Sequence, residues 1–156
     1  ALDASNLLSI KETELPEGVA RLQQEKKELG ERLTECTGKL LEYRIEEMKA
    51  HPATTEAGHA KFVFLESDMT PKEAKALAKR LGEIPEAFSA IFYQNGERLN
   101  YMFLATDGAE LSCQQVIRTV NEAFGGRGGG RPESCQGSAI CPADWREKAE
   151  ALMSAL

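Results

Sequence analysis

Five of the six residues from Gly125 to Gly130 are glycine, and arginines stand at 127 and 131, in a chain whose other 150 positions hold only eight more glycines. Glycine loses more backbone freedom on folding than any other residue, so such a cluster lowers stability. Two needs justify it: positive φ at successive positions, or an approach so close that Cβ atoms would clash. In either case successive N–H groups can converge on an anion, with Arg127 and Arg131 adding charge at its edges. A flexible linker is the bland alternative. Linkers of that kind are Gly/Ser-rich without arginines, and they do not sit between two elements of one compact domain.

Other chemistry is sparse. No Gly-Lys-Ser/Thr follows the glycines, and the element before them reads as helix, so this is no NTPase phosphate loop. No register places glycine at i, i+2 and i+5 as a dinucleotide fingerprint requires. The two histidines, His51 and His59, stand in neither a His-x-x-x-His nor a Cys-x-x-x-His spacing. Joining them with Cys135 and Cys141 matches no zinc-ligand pattern. Cys135 has no base beside it to make it a nucleophile. Asp68, Asp107 and Asp144 fall at turns or helix starts, where capping accounts for them. The sequence predicts a binding piece without catalysis of its own.

The chain has 156 residues, 42% of them hydrophobic, and a formal charge of −6. That length suits one domain, or one domain with an extension. The composition is that of a globular protein, with no apolar run near the ~20 residues that span a bilayer. Four scattered cysteines (36, 113, 135 and 141) predict free thiols and a cytoplasmic setting. An acidic balance is unusual for a nucleic-acid binder, so any positive charge that serves one must be local.

The elements that position the glycine run begin with residues 1–10, which read as the end of a helix entering from outside the sequence. A long helix follows from about Glu14 to Lys49, with Thr13 as N-cap and Pro16 in the first turn. Alternating steps of four and three give Leu15, Val19, Leu22, Lys26, Leu29, Leu33, Cys36, Leu40, Tyr43 and Glu47, eight of ten apolar or nearly so. That is a coiled-coil seam, with Leu22, Leu29, Leu33 and Leu40 as its dimerising residues. A lone helix of this kind needs a partner, either a second copy or a helix preceding residue 1.

His51 to Gly58 reads as polar loop, and Lys61 to Leu65 as a central strand buried on both faces. Thr70-Pro71 opens a helix through about Leu81, with Gly82 past its end. Ala87 to Tyr93 and Leu99 to Ala105 read as strands joined by a hairpin at Asn95-Gly96. Leu111 to Phe124 reads as a helix, then come the glycine loop, a short strand near Ser134 to Ile140, and a helix from Pro142. The fold class is α/β (α+β): a small mixed-sheet globule with flanking helices, preceded by a long coiled-coil helix. Residues 1–50 form the arm and 59–156 the globular domain.

The run Gly125-Gly-Arg-Gly-Gly-Gly-Arg-Pro132, followed by Cys135-Gln-Gly137, resembles the glycine-rich signature of the DHH-associated domain. That domain ends alanyl-tRNA synthetases and the long AlaX-type alanyl-tRNA editing proteins. The family pattern is Gly-Gly-x-Gly-Gly-Gly-Arg-Pro-x-x-Ala-Gln-x-Gly; this chain has Cys135 at the alanine and Ser138 at the last glycine. The long helix ahead of the globule extends the resemblance to nearly the whole chain, and residues 7–17 look like the junction of an editing domain with its arm.

The resemblance implies that the globule binds the outer corner of tRNA(Ala) while the arm makes a homodimer. It also implies that zinc belongs to a separate editing domain that releases serine or glycine from mischarged tRNA. On that reading Gly125, Gly126, Arg127, Gly128, Gly129, Gly130, Arg131 and Gln136 contact the nucleic acid, and Arg118 and Arg146 widen the positive patch. Two alternatives stand beside it. One is a nucleotide- or phosphate-binding accessory domain of a DHH phosphoesterase, whose loop usually carries a histidine where this chain has Arg131. The other is a purely structural coiled-coil dimeriser.

Overall fold

The computed structural model describes residues 2–9 and 11–156. Ala1 and Ile10, which belong to the opening stretch and to the junction, lie outside the described residues. The chain divides into two units, Ala1–Arg44 and Ile45–Leu156. Among the described residues no helix is long and apolar enough to cross a membrane.

The first unit is helical: α1 (Leu2–Leu8), a 3-10 turn (Glu12–Glu14) and most of α2 (Leu15–Ala50). The four-three spacing does place an apolar stripe along α2, and the stripe is uncovered: Leu29 is 65%, Leu33 69% and Leu40 60% exposed. Other faces of α2 carry i,i+4 pairs such as Lys39–Glu35 at 2.6 Å. Exposed pairs of this kind add only tenths of a kcal/mol, about 0.2–0.5 each, so they do not replace a packed seam.

The second unit is a six-stranded mixed sheet in the order β1-β2-β3-β4-β6-β5. Its strands are β1 (Ala53–Thr54), β2 (Ala60–Glu66), β3 (Ala87–Asn95), β4 (Arg98–Ala105), β5 (Arg127–Arg131) and β6 (Ser134–Ile140). Only β2 and β3 run parallel, because α3 (Pro71–Leu81) carries the chain from one to the other. Thr70 and Glu73 form a full capping box at the start of α3, with Pro71 in the first turn. Phe88, Phe92, Leu99, Tyr101 and Phe103 project from one face of the sheet. They form the core with α4 (Cys113–Phe124) and α5 (Trp145–Ser154). Ala74, Leu77, Ala78 and Leu81 of α3 are buried outside that cluster, against β3 and β4.

Five details depart from the reading of the sequence. The strand around Lys61 to Leu65 is not buried on both faces: Phe62 and Phe64 are inside, while their neighbours are only partly covered. It lies next to the sheet's edge, and the continuously buried strand is β3. The segment His51–Gly58 contains β1, too short for a hydrophobic pattern to announce. In the hairpin Asn95 stays in the ladder opposite Arg98, so Gly96 and Glu97 make the turn, with Gly96 at φ +63°. The last helix starts at Trp145 rather than Pro142, after a turn in which the Trp145 N–H donates to the Pro142 carbonyl. The glycine run is largely not a loop: residues 127–131 are the edge strand β5, paired antiparallel to β6.

That strand exists because its side chains are missing. A Cβ at Gly126 would collide with Tyr101 Oη, and Cβ atoms at Gly128 and Gly130 would collide with carbonyl oxygens of β6. On β6 a Cβ at Gly137 would lie 2.6 Å from the Tyr101 ring and 2.8 Å from the Arg127 carbonyl. Gly129 differs, since a Cβ there would meet nothing within 4 Å. Gly137→Ala is therefore expected to cost about 1–3 kcal/mol through overpacking, whereas Gly129→Ala leaves stability unchanged or slightly raised. Urea unfolding of the two variants checks the contrast.

Cys113 opens α4 at the centre of the core. A helix start favours a thiolate, but burial dominates and pushes the Cys113 thiol from 9.0 up to about 12, with Cys135 and Glu133 nearby acting the same way. A folded-state pKa raised in this way favours the neutral thiol. The stability it contributes is complete below pH 9 and is lost progressively as the pH rises towards 12. Burial raises Tyr93 and Tyr101 in the same direction. Urea unfolding between pH 7 and 10.5 should show a decline that is shallower in Cys113→Ala than in the parent chain; equal slopes would contradict the burial argument.

Candidate functional site

Two side chains on α4, Gln114 and Asn121, hold the glycine strand. They stand seven residues apart, two helical turns on one face. Gln114 Nε2 donates to the Gly130 carbonyl at 2.9 Å and Asn121 Nδ2 to the Gly128 carbonyl at 3.3 Å. Asn121 Oδ1 also accepts from the Tyr101 hydroxyl, and its backbone carbonyl accepts from the Gly126 N–H at 3.0 Å. Gly125 ends α4 in the left-handed conformation at φ +63°, its own N–H also on the Asn121 carbonyl.

These bonds decide which way the strand's amides face. The carbonyls of Gly128 and Gly130 point to α4 and away from β6. In an antiparallel ladder each residue directs its N–H and C=O to the same side, so the Gly128 and Gly130 amides face outward as well. Successive amides therefore do not converge into one anion cradle. Those of Gly125 and Gly126 are spent on α4, and those facing outward alternate with those of the ladder.

The expected contact residues fall on two sides of β5. On one side, Gly126, Gly128, Gly129 and Gly130 line a groove of about 540 Å³ along α4, together with Arg118. On the other, Arg127 and Gln136 line a shallow pocket of about 270 Å³ on the opposite sheet face, with Asn100 and Ser138. Arg131 stands at the end of the strand, its side chain 84% exposed and 4.0 Å from Glu133. A pair so exposed contributes roughly 0–1 kcal/mol and leaves the guanidinium available to a ligand. Arg146 lies over the Trp145 ring and bonds Ser67, and it lines neither cavity.

Sequence reasoning missed Gln114, Asn121, Arg98 and Asn100. The helical spacing of the first two was visible, but nothing marked their partners. Arg98 and Asn100 reach this region only through the pairing of β4 with β6, where Asn100 stands opposite Ser138. The thiols offer no reactive group here: Cys135 Sγ–H donates to the Arg131 carbonyl at 3.1 Å, and burial holds its pKa above the usual value. Among the described residues, no three His, Cys, Asp or Glu side chains converge as metal ligands.

Residues 58–155 match the family described as the DHHA1 domain. The chain is 26% identical over 137 residues to the alanine–tRNA ligase of Methanoregula boonei, an alignment that takes in 88% of this chain and 14% of that protein. It thus spans a small fraction of that relative's length. The crystal structure of the C-Ala domain from Aquifex aeolicus alanyl-tRNA synthetase has the same fold. That likeness has a TM-score of 0.54 at 23% identity and covers 63% of this chain and 91% of that one. With the glycine-bearing sheet, its flanking helices and well over half of the sequence inside the matched segment, the chain belongs to the DHHA1 domain family.

Proposed function

We propose that this chain is a tRNA-binding and dimerising appendage of an alanyl-tRNA protein, either an alanine–tRNA ligase or an editing protein that hydrolyses Ser- or Gly-tRNA(Ala). The observation that carries the reading is β5, an exposed edge strand of bare peptide with a guanidinium group at each end. Within it Gly129 lacks a side chain although no neighbour demands that. RNA-binding proteins favour irregular, unpaired places, where bases and sugar–phosphate can lie against such a backbone. Arg127 and Arg131 suit phosphate oxygens. Membership of the DHHA1 family and the alanine–tRNA ligase relative support tRNA(Ala) as the partner, and the resemblance of the glycine signature implies its outer corner as the place of contact.

The work divides between the parts. Residues 59–156 bind tRNA, and residues 1–50 pair two copies of the chain through Leu22, Leu29, Leu33 and Leu40. The exposed apolar stripe on α2 supports that pairing, since a helix with such a seam gains most of its stability from packing. Zinc-dependent hydrolysis, where the parent performs it, belongs to another domain.

Filter binding with a tRNA(Ala) transcript tests the first part. Arg127→Ala and Arg131→Ala are each expected to weaken binding by about 1–3 kcal/mol and to reduce the salt dependence by about one phosphate contact. Gly129→Glu should weaken it while leaving the unfolding midpoint in place. Unchanged affinity in the Arg127→Ala/Arg131→Ala double variant would sink the reading. For the arm, sedimentation of Leu29→Asp/Leu33→Asp should show monomers where the parent chain sediments as a dimer; equal masses would mean the seam does not join two chains.

A further inference from the structure

We propose that the sheet face of β4, β6 and β5 on the side away from α4 receives an unpaired nucleobase of the bound RNA beside Gly129. Asn100 and Gln136 meet the base's edge and Arg98 a neighbouring phosphate. This deepens the tRNA-binding reading and rests on it.

The strand register builds the site. Alternate residues on this face form three cross-strand rows: Asn100–Ser138–Arg127, Met102–Gln136–Gly129 and Leu104–Ser134–Arg131. Gly129 sits in the middle row beside Gln136, bracketed by Arg127 and Arg131 about 13 Å apart along the strand. That leaves peptide without a side chain between two arginines, whose guanidinium planes are of the kind on which unstacked bases rest. Amide side chains carry both donors and acceptors, which is what reading a base edge requires. The pocket of about 270 Å³ lies beside Gly129, lined on this face by Asn100, Met102, Arg127, Gln136 and Ser138; it falls just below the roughly 300–1,000 Å³ of small-molecule sites, a size for one ring system rather than a whole cofactor.

Charge points the same way. The chain carries −6 overall, yet β4, β5 and β6 contain three arginines, Arg98, Arg127 and Arg131, and no acidic residue. Arg98 is held across the sheet by Ser138, its Nη2 donating to the hydroxyl at 2.9 Å, so its charge sits over this face. The groove on the other side of β5 is less suited to RNA. Gln114 and Asn121 already bond the glycine carbonyls there, and Glu122 joins its lining.

Filter binding and base-level chemical probing of a tRNA(Ala) transcript test the assignment, with unfolding midpoints confirming that each variant folds. Arg98→Ala and Asn100→Ala should each weaken binding about tenfold. Asn100→Ala should also expose one base that the parent chain protects, and its loss of affinity should exceed that of Arg118→Ala, in the groove. Full affinity in both Arg98→Ala and Asn100→Ala, or a loss confined to Arg118→Ala, overturns the face assignment. If Gly129→Glu and Arg127→Ala still lose binding in that case, tRNA binding stands and only its placement falls. A parent chain that binds no tRNA overturns both.

Discussion

The second unit depends on one close approach, that of a side-chain-free segment onto the Tyr101 hydroxyl and the backbone of β6. Tyr101 is wholly buried, and its hydroxyl finds its partner in Asn121. Asn121 in turn bonds the Gly128 carbonyl and receives the Gly126 amide. A buried aromatic with a polar tip needs such a partner, and here the partner also fixes the strand that any ligand would meet. Most of the glycine cluster is thus explained by folding alone. The entropic cost of so many glycines is offset by a packing that no other residue permits.

This changes what the cluster means for binding. A run of convergent amides would have been an anion seat in itself; an edge strand instead offers alternating backbone on one side and a sheet face on the other. The arginines at its ends then matter more than its amides. They lie in a region without acidic strand residues, within a chain that is acidic overall. Long-range attraction for a polyanion is weak under those conditions, and contact rests on local geometry.

Much of the fold could be read along the chain. Thr70-Pro71 announced α3, and the four-three spacing gave the stripe of α2. These are local signals, carried by periodicity and capping. What stayed hidden was set at long range. A Gly-Gly-Gly segment has no β-propensity, so β5 could not be seen until β6 and Tyr101 were in place beside it. Arg98 and Asn100 look like ordinary strand residues, and only the ladder brings them to Ser138, whose other neighbour is Arg127. Composition told of local positive charge; it could not say on which face that charge would gather.

The tip of the β5–β6 hairpin is fastened from both sides: the Pro132 carbonyl accepts from the Cys113 amide at 2.8 Å, and the Glu133 carbonyl from Ala105 at 2.9 Å. A glycine ribbon left to itself would writhe, and whatever landed on it would first have to freeze it. Pinned in this way, its disorder is removed once, when the protein folds, and is not charged again to each docking event. The segment with the floppiest composition in the chain becomes a fastened platform.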